Sequence, residues 1–301
     1  MIKSGHVTIA ISWTAVVVST ALASFWAFWG AIEAFHEGWF YESFWKNVGL
    51  TLGQYLLPML VIAGLGAIGV IWPRVGALLH VVLAAVIGYI VNTYIGRIWI
   101  VIPLCGLAAL YWFSRFPNRR WVVVLLLGLP AVTAVVSGAD LAWRTAHRVD
   151  DGFRGTRTVE GPGIRLRWAP AGPGWPHGGS ANWQQAMEAC DHLTPDGANR
   201  SNAPQHVWRL PTIDEVVRSL SLHGQSAGGQ WHSARGTATY GVMPEKESPL
   251  WNPYSPVVYW WTATEIDTVK AYRIHFRGGV QPTMKSAGPT YYGFRCVSVP
   301  D

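Results

Sequence analysis

Hydrophobic and polar positions alternate in two different ways along this chain, and the change falls near its midpoint. Up to about position 148, apolar residues run on for a helix length at a time, and a run of about 20 is what a helix needs to cross the hydrocarbon core of a bilayer. Five such runs predict helices at 7–32, 48–72, 75–95, 98–113 and 121–143. The fourth is short, which leaves a count of four open. The first follows Lys3 as an export signal would, but it is longer, rich in Trp and without a small-residue cleavage site, so it is read as a retained helix. The long polar break, 33–47, carries the aromatic string Trp39, Phe40 and Tyr41, suited to the lipid–water interface.

Past 148 the pattern shortens. Alternation over 163–168 predicts a strand, and the Pro/Gly-rich 169–176 a loop. Ser180, Ala181 and Asn182 offer N-cap chemistry for a helix over 183–193, with Trp183, Ala186, Met187, Cys190 and Leu193 on one face. Thr212, with Glu215 three residues on, makes a capping box for a second helix. Strand-like runs return at 257–264, 271–276 and 292–299, whereas 222–256 shows little period and is expected to be a long loop. The predicted fold is an all-α transmembrane bundle over 1–148 followed by a small α+β domain over 149–301, with 144–163 as a linker or the start of that domain.

Charge follows the same division. The first 149 residues hold nine of the 23 Lys/Arg and four of the 17 Asp/Glu, so most of the net charge of +6 sits in the apolar half. A nucleic-acid binder needs its basic residues on the folded domain, so nucleic acid is excluded as a partner and the lipid bilayer is expected. With the N-terminus inside, the inner loops would carry Lys3, Arg74, Arg115, Arg119 and Arg120 and the outer ones only Lys46 and Arg97. Five spans would then put the second half outside; an even count would reverse that.

Candidate chemistry is sparse. Cys105 lies inside the fourth run and is read as a packed thiol, while Cys190 and Cys296 could be a disulfide or two thiols. The ten His show no metal-site spacing of the H-x-x-x-H or H-E-x-x-H kind. Glu33, His36 and Glu37 could hold a metal from one helix face, though a solvated interfacial patch explains them more simply. His80, Gln54 and Asn92 fall within predicted spans and are expected to bond neighbouring helices, and Asp140 to pair with Arg144. Ca²⁺ needs several oxygen ligands together, and around Trp251, Asn252 and Pro253 no full cage shows, even with Glu245 and Glu247 nearby. No cofactor is expected. In the long loop, Trp231, His232, Tyr240, Trp251, Asn252 and Tyr254 combine aromatic faces with polar groups, either as a recognition surface or as a satellite core.

Four strings in order carry a resemblance: Trp183-x-x-Ala186-x-x-x-Cys190; Trp208-Arg209-Leu210-Pro211-Thr212-x-x-Glu215; Tyr259-Trp260-Trp261-Thr262-Ala263-Thr264; and Gly293-Phe294-Arg295-Cys296-Val297. Together they resemble the C-terminal domain of a collagen-like bacterial surface adhesin (Lcl-like). More distantly they are similar to the formylglycine-generating enzymes, which share a variant of the C-type lectin fold. The resemblance covers about 163–299 and implies a C-type-lectin-like domain whose first helix and last strand are joined by a disulfide, here Cys190 to Cys296. The enzymes' reactive cysteine pair would then be missing, so the expectation leans against catalysis. The sequence therefore predicts a membrane-anchored recognition protein in a bacterial inner membrane. Its N-terminus would be cytoplasmic and its lectin-like domain outside, taking a carbohydrate, peptide or protein ligand. A membrane-bound modifying enzyme of the formylglycine-generating superfamily, or a homo-oligomeric channel or scaffold capped by that domain, are the alternatives.

Overall fold

The structure is a computed structural model that describes the backbone of residues 2–91, 94–288 and 290–300, with side chains over 6–91, 98–288 and 290–300. Lys3, Asn92 and the side chain of Arg97 lie outside the described residues. The chain divides into two compact units, Met1–Phe35 with Trp45–Ala142, and His36–Phe44 with Trp143–Asp301.

In the first unit the described residues of the predicted apolar runs are helical apart from short breaks. Helix α1 spans Ile2–His36, continuous because neither Pro nor a polar cluster interrupts it. The second run breaks into α2 (Phe44–Leu50), a π-helical turn (Thr51–Tyr55) and α3 (Leu57–Ile71), with a bend of 62° between the two pieces. Pro58 opens α3, where its missing N–H costs nothing; a continuous helix through it would lose a hydrogen bond and clash one turn back. Pro73 likewise opens α4 (Pro73–Ile90), followed by α5 (Tyr94–Trp112) and α6 (Arg119–Ala146).

Three helices, α1, α4 and α6, are long and apolar enough to cross a membrane, or four spans if the bent pair counts as one. The described apolar part of α5, Ile98–Trp112, is shorter. These helices identify a membrane protein, with three or four such spans among the described residues; the sequence predicts five, with four left open.

Small residues let these helices approach closely. Ala15, Ala23 and Ala27 of α1 share a buried cluster with Val70, Ala77, Tyr111 and Leu126. Gly69 and Gly76 allow the closest approach: a Cβ on Gly76 would lie 2.2 Å from the Cα of Gly69, so any larger residue there forces α3 and α4 apart. Large side chains such as Trp13, Phe28, Trp29, Val132 and Val136 face outward, as lipid-facing positions do. Cys105 is exposed on α5, contrary to the packed thiol expected of it; its neighbours Leu104, Leu107 and Ala108 supply the buried side.

The second unit is a mixed α/β region with a curled sheet. Strands β1 (Arg157–Gly161) and β2 (Ile164–Trp168) form an antiparallel pair joined by β11 (Val297–Ser298). Helices α7 (Trp183–Asp191) and α8 (Ile213–Ser219) follow, then the short hairpins β3–β4 (Ser221–Leu222, Gln225–Ser226) and β5–β6 (Gln230–His232, Thr237–Thr239). The main sheet runs β10-β7-β8-β9, from Tyr292–Gly293, Tyr259–Glu265, Lys270–His275 and Val280–Met284, with β10 parallel to β7 and the rest antiparallel. Both helices start on capping boxes. Asn182 and Gln185 satisfy each other's backbone at α7, as Thr212 and Glu215 do at α8.

Candidate functional site

The residues of the four strings form the frame of the second unit. Trp183, Trp208, Trp261 and Phe294 are buried, and Leu210 shares one apolar cluster with them. Each indole finds an acceptor, Trp183 on Thr262 O (2.9 Å), Trp208 on Thr194 O (2.9 Å) and Trp261 on Ala181 O (2.8 Å). The same cluster holds the disulfide Cys190–Cys296, which ties α7 to the segment leading into β11 across 106 residues of sequence. Pro211 O accepts from Ala263 N (2.8 Å), fixing the entry of α8 against β7. Arg209 makes a two-pronged pair with Glu215 (2.6 and 2.7 Å), and this pair is partly exposed.

Arg295 is 1% exposed and, among the described residues, pairs with no carboxylate. Its guanidinium donates to three carbonyls, Ala169 O (3.2 Å), Pro249 O (2.9 Å) and Leu250 O (2.9 Å), and lies 3.9 Å from the Trp175 ring centroid. Burial, with Arg157 and Arg154 nearby, pushes its pKa well below the usual arginine range. Three acceptors and a π-face are what keep a charge tolerable there.

The six loop candidates do not converge on one surface. Trp251 is 2% exposed and stacks on Trp260 at 3.8 Å with an interplanar angle of 13°, inside the larger apolar cluster. Asn252 is buried beside it, bonding His177 Nδ1 (2.8 Å) and accepting from Tyr254 N and Arg154. Trp231 packs edge-on against Tyr272, His232 bonds Thr239 across the β5–β6 hairpin, and the hydroxyl of Tyr240 donates to Gly278 O. Burial raises the pKa of Tyr240 above that of a free phenol. Tyr254 is the one of the six that is exposed.

The sequence reading missed a buried charge network that docks the start of the unit onto 245–248. Glu245 accepts from Arg148 (3.0 Å) and Arg277 (3.1 Å), with Arg148 and Glu245 almost fully enclosed. Glu247 accepts from the N–H groups of Val149 and His223, and Ser248 N returns a bond to Val149 O. The carboxylate oxygens weighed for calcium thus face protein donors. Residues 148–151 are therefore an integral part of the domain and not a free linker. Lys246 is enclosed beside them, donating to Ser255 O, and burial with Arg148 nearby lowers its pKa well below that of an ordinary lysine. His275 Nδ1 accepts from Arg277 N, which leaves the proton on Nε2, fully enclosed and without a partner among the described residues. Burial, helped by His36 and Arg277, lowers the His275 pKa to about 2.

The sequence does contain a G-x-S-x-G string, Gly224 to Gly228. It forms the β3–β4 hairpin and not a strand-to-helix turn, and Ser226 Oγ accepts from Gly228 N (3.2 Å), so it lacks the geometry of a nucleophile elbow.

Of the metal candidates, Glu33, His36 and Glu37 each bring a ligand atom within 4.8 Å of the others at the end of α1, and His36 also stacks on His275 at 4.6 Å. His80 is buried, its Nδ1 bonded to Gly76 O (2.8 Å) one turn back and its ring stacked on Tyr111, whose hydroxyl bonds Ser19 (3.0 Å). Gln54 is exposed in the π-helical turn. No family profile, characterised protein or solved structure matches the chain.

Proposed function

We propose that this is a membrane-anchored recognition protein whose C-terminal domain, of C-type-lectin-like fold, faces away from the cytoplasm. The observation that carries the reading is the disulfide Cys190–Cys296, closed inside the core of a unit that follows membrane-length helices. Disulfides persist in oxidising compartments and are rare in the cytosol. On a five-span count Arg74, Arg115, Arg119 and Arg120 fall in inner loops and favour the same direction; three spans keep Arg115, Arg119 and Arg120 inside, whereas four would reverse it. Against an enzyme of the formylglycine-generating kind, the two cysteines such chemistry would need are the ones bonded to each other. A ligand of carbohydrate, peptide or protein class fits a domain whose loops sit on a rigid, cross-linked frame.

The test is a pair of C-terminal fusions in a bacterial host, one to alkaline phosphatase and one to green fluorescent protein. The proposal expects an active phosphatase and a dark fluorescent fusion. The reverse pattern would place the domain in the cytoplasm and remove the basis for envelope recognition.

A further inference from the structure

A cleft of about 450 Å³ opens on the second unit beside α7, within the range of small-molecule sites. It is lined by the buried Phe294 and Ala189 and by four polar side chains, Ser180, Gln185, Glu188 and Arg200. Gln185 and Glu188 share a face of α7 with Ala189 by helical spacing. Arg200 comes from the turn after α7 and pairs with Glu188 at 3.3 Å.

The walls are held in place before any ligand arrives. The Cys190–Cys296 disulfide lies one residue from Ala189 and two from Phe294, and the capping box holds Gln185 through its Oε1, turning its amide nitrogen to donation. The segment of Arg200 is pinned by the bridge between Leu193 and Arg200 and by the bond from Thr194 N to Asn199 O (3.0 Å).

Ser180 is the telling residue. Its φ is +103°, a region that L side chains rarely adopt, while Gly178 and Gly179 immediately precede it. A glycine would sit there without strain, yet the chain keeps a side chain whose hydroxyl makes only a long 3.4 Å bond to Gly288 O. Strain held at the wall of a cleft points to a use for the group that causes it.

The chemistry of the rim selects the ligand. Arg200 and Glu188 cancel in charge, so neither an anion nor a cation gains. Donors (Arg200, the Gln185 amide) and acceptors (Glu188, the Ser180 hydroxyl) line the cleft together with the apolar Phe294 and Ala189. Hydroxyls that both donate and accept, set around a C–H face, are complementary to that pattern. We propose that this cleft binds a neutral saccharide of one or two residues through Arg200, Glu188, Gln185 and Ser180, with Phe294 under the ring. The proposal deepens the recognition reading by naming its site and ligand class.

The full chain in lipid nanodiscs is probed by saturation-transfer NMR with glucose, N-acetylglucosamine, maltose and sucrose at millimolar concentration. At least one should receive saturation, and Arg200→Ala should weaken it by about tenfold. Arg165→Ala, away from the cleft, should leave it unchanged. Ser180→Gly separates binding from folding, since it should weaken binding while raising the melting temperature by relieving the strain. No transfer to any of the four sugars, or transfer unaffected by both Arg200→Ala and Ser180→Gly, overturns the site. The result is independent of topology, so a cytoplasmic domain would sink the recognition reading without touching this one.

Discussion

At the residue scale, Arg295 and His275 show how the second unit tolerates buried charge chemistry. Arg295 spends its donors on three carbonyls and its face on Trp175, a fit that depends on the planar fork. Arg295→Lys should therefore cost about 3 kcal/mol in chemical unfolding, since an ammonium leaves carbonyls unmatched in the interior; a loss below a few tenths would contradict that role. His275 makes a pH prediction. Its folded pKa of about 2 lies below the value of 6.5 for an exposed imidazole. The unfolded chain therefore takes up the proton first, and stability is full above pH 6.5 and falls as the pH drops toward 2. The loss by pH 5 should be on the order of 1–2 kcal/mol. Melting curves from pH 8 to 5 should show this decline in the wild type and a flatter one in His275→Phe.

At the scale of elements, the capped helix α8 offers the cleanest measurement. Thr212→Ala removes the side chain that accepts from Glu215 N, and should cost about 1 kcal/mol of stability by denaturant titration with binding to any ligand unchanged. This element was legible in advance because a cap is a local device: Thr212, three residues, Glu215. The same holds for Asn182 at α7 and for the apolar runs that became α1, α4 and α6.

What was not legible depends on partners far away in sequence. The 222–256 segment looked irregular because its two hairpins are only two or three residues per strand, too short to show alternation. Trp251 resembled a recognition aromatic in a loop; only the fold puts Trp260 against it. Glu245 pairs with Arg148 from 97 residues away, a contact no spacing rule could reveal. Strand β1 lay hidden in charged sequence, because Arg157, Thr158 and Glu160 alternate around a single buried Val159. The candidate site fared least well, because a cleft has no linear pattern: its rim joins Ser180, Gln185 and Glu188 to Arg200 through the turn at 194–199.

At the scale of the whole molecule, three or four membrane-length helices precede a domain closed by one long-range disulfide. By loop entropy, that closure over 106 residues contributes about 4–5 kcal/mol, so Cys190→Ser with Cys296→Ser should lower the unfolding free energy by a comparable amount. The central claim, a domain that matures outside the cytoplasm, turns on whether this bond forms in the cell. The direct measurement is to quench cells in acid, denature the protein, and count maleimide–polymer adducts with and without prior reduction. The chain has three cysteines, of which Cys105 is the free one. The account predicts one adduct without reductant and three with it. Three adducts without reductant would mean free thiols in a reducing compartment, and the outward-facing domain would have to be abandoned.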